Sequence, residues 1–305
     1  MNIRSTARLA ACAVSAMLCA AALPAAAAEN TAQMTFRVSA ETTYFTEEAL
    51  RQADAQTAGG MYIDNYTGIS SMKVRLKSSA PLLIEDADFT RDSTRTEMDG
   101  KETVAKQCFF EDHGSTIFTR IAEDTGELMN IALWYGPGEL MPQAGVIENP
   151  DSSFLSFRLR IPKGTKAGVY LCYISEDDVV MSSGIHNPDL FVNDGNGDEI
   201  TVSLQSCEIV VEPDVLRGDV DCDGKVTVLD AQAALRYYGD FTVAKNDRTD
   251  ENLRYALKTP YIHTAEKAAN VDENTRIDTN DSMAILRFAA DTRIGNNPTW
   301  ESCIR

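Results

Sequence analysis

Asp219-Val220-Asp221-Cys222-Asp223-Gly224-Lys225-Val226-Thr227-Val228-Leu229-Asp230 puts oxygen-bearing side chains at positions 1, 3, 5, 9 and 12 of a loop, with glycine at position 6. A hard divalent cation such as calcium takes six to eight oxygens, and alternate residues of a tight turn point theirs inward. Asp219, Asp221, Asp223, Thr227 and Asp230 are the candidate side-chain ligands, and Lys225 offers its carbonyl. Val226 at position 8 is apolar, as pairing with a second loop requires. Ala231 to Tyr238 then reads as a helix, with Asp230 in its first turn near the positive end of the helix dipole.

The pattern returns 51 residues later. Asn270-Val271-Asp272-Glu273-Asn274-Thr275-Arg276-Ile277-Asp278-Thr279-Asn280-Asp281 keeps oxygens at 1, 3, 5, 9 and 12 and an apolar residue at 8. Asn270, Asp272, Asn274, Asp278 and Asp281, with the Arg276 carbonyl, form the second candidate set. Ala234-Leu235-Arg236-Tyr237 and Ile285-Leu286-Arg287-Phe288 occupy equal offsets from their loops, so this is an internal repeat and not scattered acidity. The cofactor expected is two calcium ions. Asparagine replaces Asp219 and threonine replaces Gly224 in the second loop, which predicts tighter binding by the first. Residues 239–268 separate the repeats; they contain the helix-capable run Asp250 to Lys258 and should lie outside the loops.

The chain around these loops has 305 residues, 44% hydrophobic and 24% charged, with net charge −18. Its 28 basic against 46 acidic side chains would repel a phosphate backbone, and no basic stripe argues otherwise, so nucleic acid is not expected as a partner. Three histidines and two tryptophans leave little material for a histidine metal site or a tryptophan-lined sugar groove. Arg4 and Arg8, the apolar run Leu9 to Leu23 and Ala26-Ala27-Ala28 predict a secretory signal over 1–28, with no membrane insertion by the remainder. Cys108, Cys172, Cys207, Cys222 and Cys303 would then remain, an odd number without C-x-x-C spacing.

Residues 29–212 read as strands. Met72, Val74 and Leu76 alternate with Lys73, Arg75 and Lys77, and Leu155, Phe157, Leu159 and Ile161 alternate with Ser156, Arg158 and Arg160. Both patterns predict sheet with one solvated face. Gly164-Thr165-Lys166 reads as a hairpin turn, Val169 to Ile174 and Ile200 to Val211 as further strands, and Glu47 to Ala55 as a short helix capped by Thr46. Short strands separated by Asn, Asp, Gly and Pro favour a mostly β, two-sheet sandwich of jelly-roll type. Residues 29–216 carry 14 basic and 31 acidic side chains and 217–305 carry 12 and 15, so the front module is the acidic one.

Two loops, each followed by one helix rather than flanked by two, resemble a type I dockerin over residues 217–292. The resemblance implies a small helical domain over 218–305 with two EF-hand-like loop–helix repeats, joined by a linker at 213–217. It implies that Val228, Leu229 and Arg236, and then Thr279, Asn280 and Arg287, would read a cohesin partner on another scaffoldin. Val228-Leu229 is apolar and Thr279-Asn280 polar, which predicts one dominant docking orientation. Dockerin-like folds bring their ends together, so a Cys222–Cys303 clasp and two unpaired thiols both stay open, and Trp300 reads as a patch over that seam.

Ile69 to Leu76, Ser153 to Tyr170 and Ile209 to Val211 resemble strands of cohesins. A cohesin-like module ahead of a dockerin is similar to a cellulosomal adaptor scaffoldin. Such a protein is a secreted, non-enzymatic assembly protein, held in a cellulosome or at a cell surface through its partners. It receives dockerin-bearing proteins on one module and supports extracellular degradation of plant polysaccharide. The alternative is a dockerin-borne carbohydrate-binding module, for which Trp134 and Tyr135 are the aromatics to hand. A small glycoside hydrolase is the other rival. It would need two facing carboxylates about 5 to 9 Å apart, and Glu139, Glu176 and Asp178 are available without any motif selecting them.

Overall fold

The computed structural model describes residues 33–65, 69, 71–88, 93–98, 101–106, 116–121, 126–133, 155–194 and 197–304. The signal segment 1–28, Cys108, Trp134, Tyr135 and Glu139 lie outside them.

Alternation of apolar and polar residues produces two sheets that share one core. The first runs in the order β15 (Ser203–Gln205), β1 (Thr35–Ala40), β3 (Ala55–Asp64), β10 (Leu155–Ile161) and β5 (Leu83–Asp88). The second runs β2 (Tyr44–Thr46), β16 (Cys207–Glu212), β11 (Gly168–Ile174), β4 (Ser71–Ser78), β9 (Leu128–Leu133) and β8 (Thr116–Ile121), with β14 (Leu190–Asn193) also on β4. Neighbours pair antiparallel except β1 with β15 and β2 with β16, which are parallel. Phe36, Met61, Leu155, Phe157 and Leu159 from one sheet meet Met72, Val74, Leu76, Ile209 and Val211 from the other. Each such side chain contributes about 1.5–3 kcal/mol on burial. A Cβ on Gly59 would sit 2.5 Å from the Phe157 ring opposite it, so any side chain there would have to displace that ring.

Two expectations about the sandwich need correction. Gly164-Thr165-Lys166 is not a hairpin turn: β10 pairs with β3 and β5, while β11 pairs with β16 and β4, so the segment crosses between sheets. It is pinned there by the Gly164 N–H, 2.8 Å from the Leu50 carbonyl of helix α1 (Glu47–Gln52). That helix carries the expected cap, the Thr46 hydroxyl accepting from the Ala49 N–H. Nor is the outer face of β4 solvated. Lys73 is only 4% exposed, because residues 175–189 fold across the sheet. Lys73 Nζ donates to Asn187 Oδ1 at 2.8 Å; Arg75 and Lys77 reach Asp189 at 3.2 and 2.9 Å. Burial opposes the Asp189 charge, yet the nearby Lys77, Ser175 and Arg75 hold its carboxyl below the usual range. The covering segment pairs β12 (Asp178–Val180) with β13 (His186–Pro188), and Val179, Val180, Met181 and Ile185 stay exposed on it. A separate hairpin joins β6 (Ser93–Met98) to β7 (Lys101–Lys106).

After Glu212 the chain becomes helical. Helix α2 (Val228–Tyr237) runs into a π-helical turn, Tyr238–Val243, followed by α3 (Asp250–Leu257), α4 (Ile262–Ala269), α5 (Thr279–Arg293) and the short α6 (Trp300–Cys303). Small residues let α2 and α5 pack closely, since Ala231, Ala233, Ala234 and Ala284 are buried between Val220, Val271, Ile277 and Ile285. The Ser282 hydroxyl reaches the Ala231 carbonyl at 2.7 Å across that contact. Among the described residues no helix is long and apolar enough to cross a membrane.

Candidate metal loops and docking surface

The two loops share the hydrogen bonds that position 12 accepts and those between positions 3, 5 and 7. In the first, Asp230 Oδ1 accepts the N–H of Val220 at 2.7 Å and of Asp221 at 3.0 Å. In the second, Asp281 Oδ1 accepts the N–H of Val271 at 2.9 Å and of Asp272 at 3.2 Å. The same two carboxylates close capping boxes with Thr227 and Asp278, fixing the start of each helix against its own loop. Position 3 accepts from the position 5 N–H in both, at 3.2 Å for Asp221 and 3.1 Å for Asp272. Position 5 accepts from position 7 in both, at 2.9 Å from Lys225 and 2.6 Å from Arg276. Position 4 is left-handed in both, Cys222 at φ 60° and Glu273 at φ 58°. Neither residue type advertises that conformation, so the sequence reading missed it.

The loops part at positions 1 and 6. Gly224 takes φ +87°, which only glycine adopts freely, and its N–H donates to Asp219 Oδ2 at 2.9 Å. Asp219, Asp221 and Asp223 bring carboxylate oxygens within 4.8 Å of one another. Asp219 is 4% exposed, and burial followed by the charge of Asp230 pushes its carboxyl up. Burial, then Asp230 and Asp223, pushes Asp221 up to about 6. Such a cluster, with Asp230 behind it, is a site of concentrated negative charge that a cation would relieve. In the second loop Thr275 does not take a positive φ. Asn270 turns its Nδ2 onto the Asn274 carbonyl at 2.7 Å, leaving its buried Oδ1 with no hydrogen-bond partner. That orphaned oxygen is a donor atom suited to a hard cation.

Cys222, at position 4, does not face outward. Its half-buried side chain packs against the helical core, and burial followed by Asp219 pushes the thiol up to about 12. Cys222 and Cys303 are both free thiols, as are Cys172 and Cys207, so no Cys222–Cys303 clasp is present. The seam is closed by an aromatic stack instead. Trp300 lies 4.2 Å from Phe288 at an interplanar angle of 9°, and a Cβ on Gly218 would meet its ring at 2.3 Å.

Val228 and Leu229 are exposed at the start of α2, and Thr279 and Asn280 at the start of α5. Arg236 is half-buried, 5.4 Å above the Tyr255 ring of α3, whereas exposed Arg287 donates to the Cys303 carbonyl at 3.0 Å. Leu235 and Leu286, 51 residues apart, are exposed together with Met283. Sequence reasoning used these leucines as markers of the repeat and overlooked them as surface. Their neighbours Ala234 and Ile285 fill the buried side of the helix, which was the available signal. Glu176 and Asp178 sit exposed on the segment that covers β4, and Asp178 is engaged by His186 at 2.6 Å.

Neither a known protein family nor a curated protein matches the chain. Among solved structures it is similar to a chain of the Coh-OlpC–Doc435 type I cohesin–dockerin complex from Clostridium thermocellum. The two are 12% identical, 59% of this chain and 94% of that one are covered, and the TM-score is 0.37. A type II cohesin domain from the cellulosome of Acetivibrio cellulolyticus is 13% identical over 58% of this chain and 95% of that one, with a TM-score of 0.37. A non-cellulosomal cohesin from Archaeoglobus fulgidus is 10% identical over 58% and 91%, with a TM-score of 0.30. These likenesses are slight, and the sandwich is defined by its own strand pairing.

Proposed function

We propose that the protein is a non-catalytic assembly component. Its C-terminal helices bind two calcium ions and plug into a cohesin-type partner, and the sandwich receives a dockerin-bearing protein. In this reading Asp219, Asp221, Asp223 and Thr227, with the Lys225 carbonyl, hold the first ion. Asn270, Asp272, Asn274 and Asp278, with the Arg276 carbonyl, hold the second. Asp230 and Asp281 close each shell from the helix behind it. Calcium would supply the positive charge that the clustered carboxylates lack, and so fix the helix starts that carry the docking residues.

The observation that carries the reading is the repeat itself. Two loops 51 residues apart share the same hydrogen bonds from positions 2, 3, 5 and 7, and each ends in a helix whose exposed face holds a leucine, Leu235 or Leu286. An acidic solvated turn has no reason to be duplicated with its helix. Secretion through the 1–28 segment would place the protein in millimolar calcium, where loops of this kind fill. The test is calorimetry with calcium, followed by pull-down of the whole protein against isolated cohesins and dockerins in calcium and in chelator. Two bound ions and calcium-dependent capture are the expected results; no calcium uptake in millimolar calcium would end this reading.

A further inference from the structure

Residues 239–268 were expected only to stay clear of the loops. In the structure they join the helices to the sandwich. The Glu212 side chain, 3% exposed at the end of β16, accepts the His263 N–H at 2.8 Å and the Thr264 N–H at 3.5 Å, so a sandwich carboxylate caps α4. The Thr264 hydroxyl reaches the Pro213 carbonyl at 3.1 Å. Tyr44 of β2 packs on the helical core, edge-on to the His263 ring at 4.6 Å, and donates to Asp250 at 2.8 Å. Arg254 of α3 pairs with Glu208 of β16 and also donates to Tyr44 at 3.3 Å. Charged and aromatic groups from two strands thus meet two inserted helices.

The same helices lead straight into the loops. The Asn270 N–H bonds back to the Glu266 carbonyl, so position 1 of the second loop is the last link of α4. The Gly218 N–H donates to the Ala268 carbonyl at 2.8 Å, one residue before Asp219, and Arg217 Nε donates to the Val271 carbonyl at 2.9 Å. Residues 213–217, read from sequence as a linker, are therefore held at both ends.

We infer that the insertion couples calcium uptake by the loops to the stability of the sandwich, so that both fold and open as one body. The inference rests on the calcium reading above. Linkage then requires reciprocity: the docked sandwich must strengthen calcium binding by the same factor that calcium stabilises the sandwich. Hydrogen exchange on the full chain tests it, reading peptides of β2, β11 and β16 separately from those of α2 and α5, with calcium or with chelator. Calcium is expected to slow exchange about tenfold in both groups. Glu212→Gln combined with Arg254→Met should confine the protection to the helices and lower calcium affinity about five- to tenfold. Protection of α2 and α5 alone in the unmodified protein would overturn the coupling and leave the calcium reading standing. Absence of protection anywhere would overturn both. Tyr44→Phe, which removes only a hydroxyl, gives an independent variant should the double substitution fold poorly.

Discussion

Asp221→Asn offers the sharpest distinction between a metal cradle and an ordinary acidic turn, because its two effects have opposite signs. In chelator the Asp221 carboxyl stands near 6 instead of 3.8, so the folded state holds a proton that the unfolded state has already released. Its contribution to calcium-free stability is present below about pH 4, is lost as pH rises through 6, and is a penalty at neutral pH. The interval corresponds to about 3 kcal/mol for a fully shielded group; the half-exposed position of Asp221 and solvent screening reduce this to about 1 kcal/mol. The asparagine variant should therefore unfold at a higher temperature than the unmodified protein in chelator at pH 7, and the difference should shrink towards pH 4. In calcium the order should reverse, since a charged ligand is lost and affinity falls tenfold or more, about 1.4 kcal/mol. Thermal unfolding by circular dichroism at both pH values, with and without calcium, gives all four numbers. A variant destabilised as much in chelator as in calcium would refute the electrostatic argument.

Calorimetry of Asp219→Ala and Asp272→Ala should show the larger loss of calcium affinity for the first, whose carboxylate accepts from both Asp223 and Gly224; the opposite ranking would mean that the second loop is the tighter. Val228→Asp with Leu229→Asp should abolish capture by a cohesin without changing calcium stoichiometry, and persistent capture would show that the second repeat can dock unaided. Gly218→Ala should lower stability by about 1–3 kcal/mol, since φ +85° and the Trp300 ring both oppose a side chain; denaturant melts of Gly218→Ala in a Trp300→Ala background should show a smaller cost.

Much of this molecule was legible as pattern. The period-two runs at Met72 to Leu76 and Leu155 to Ile161 became core strands, and Thr46 capped its helix. What stayed hidden depended on contacts distant in sequence. Lys73, Arg75 and Lys77 look solvent-bound until residues 175–189 fold over them with Asp189. The turn at Gly164 looks like a hairpin because local sequence carries no information about which sheet receives the next strand. In the loops, oxygen spacing singled out candidate ligands, but the different hydrogen-bonding roles of Asp219 and Asn270 follow from where Gly224 and Thr275 let the backbone go.

The segment over β4 has a consequence for handling the protein. It keeps ion pairs on its inner side and shows Val179, Val180, Met181 and Ile185 on its outer side, an oily roof on an ionic floor. Added sulfate screens buried pairs poorly but strengthens contact between apolar surfaces. Salting-out should thus bring neighbouring molecules together roof to roof while each floor stays intact, and a single lysine in place of Val180 should raise the salt concentration needed to precipitate the chain.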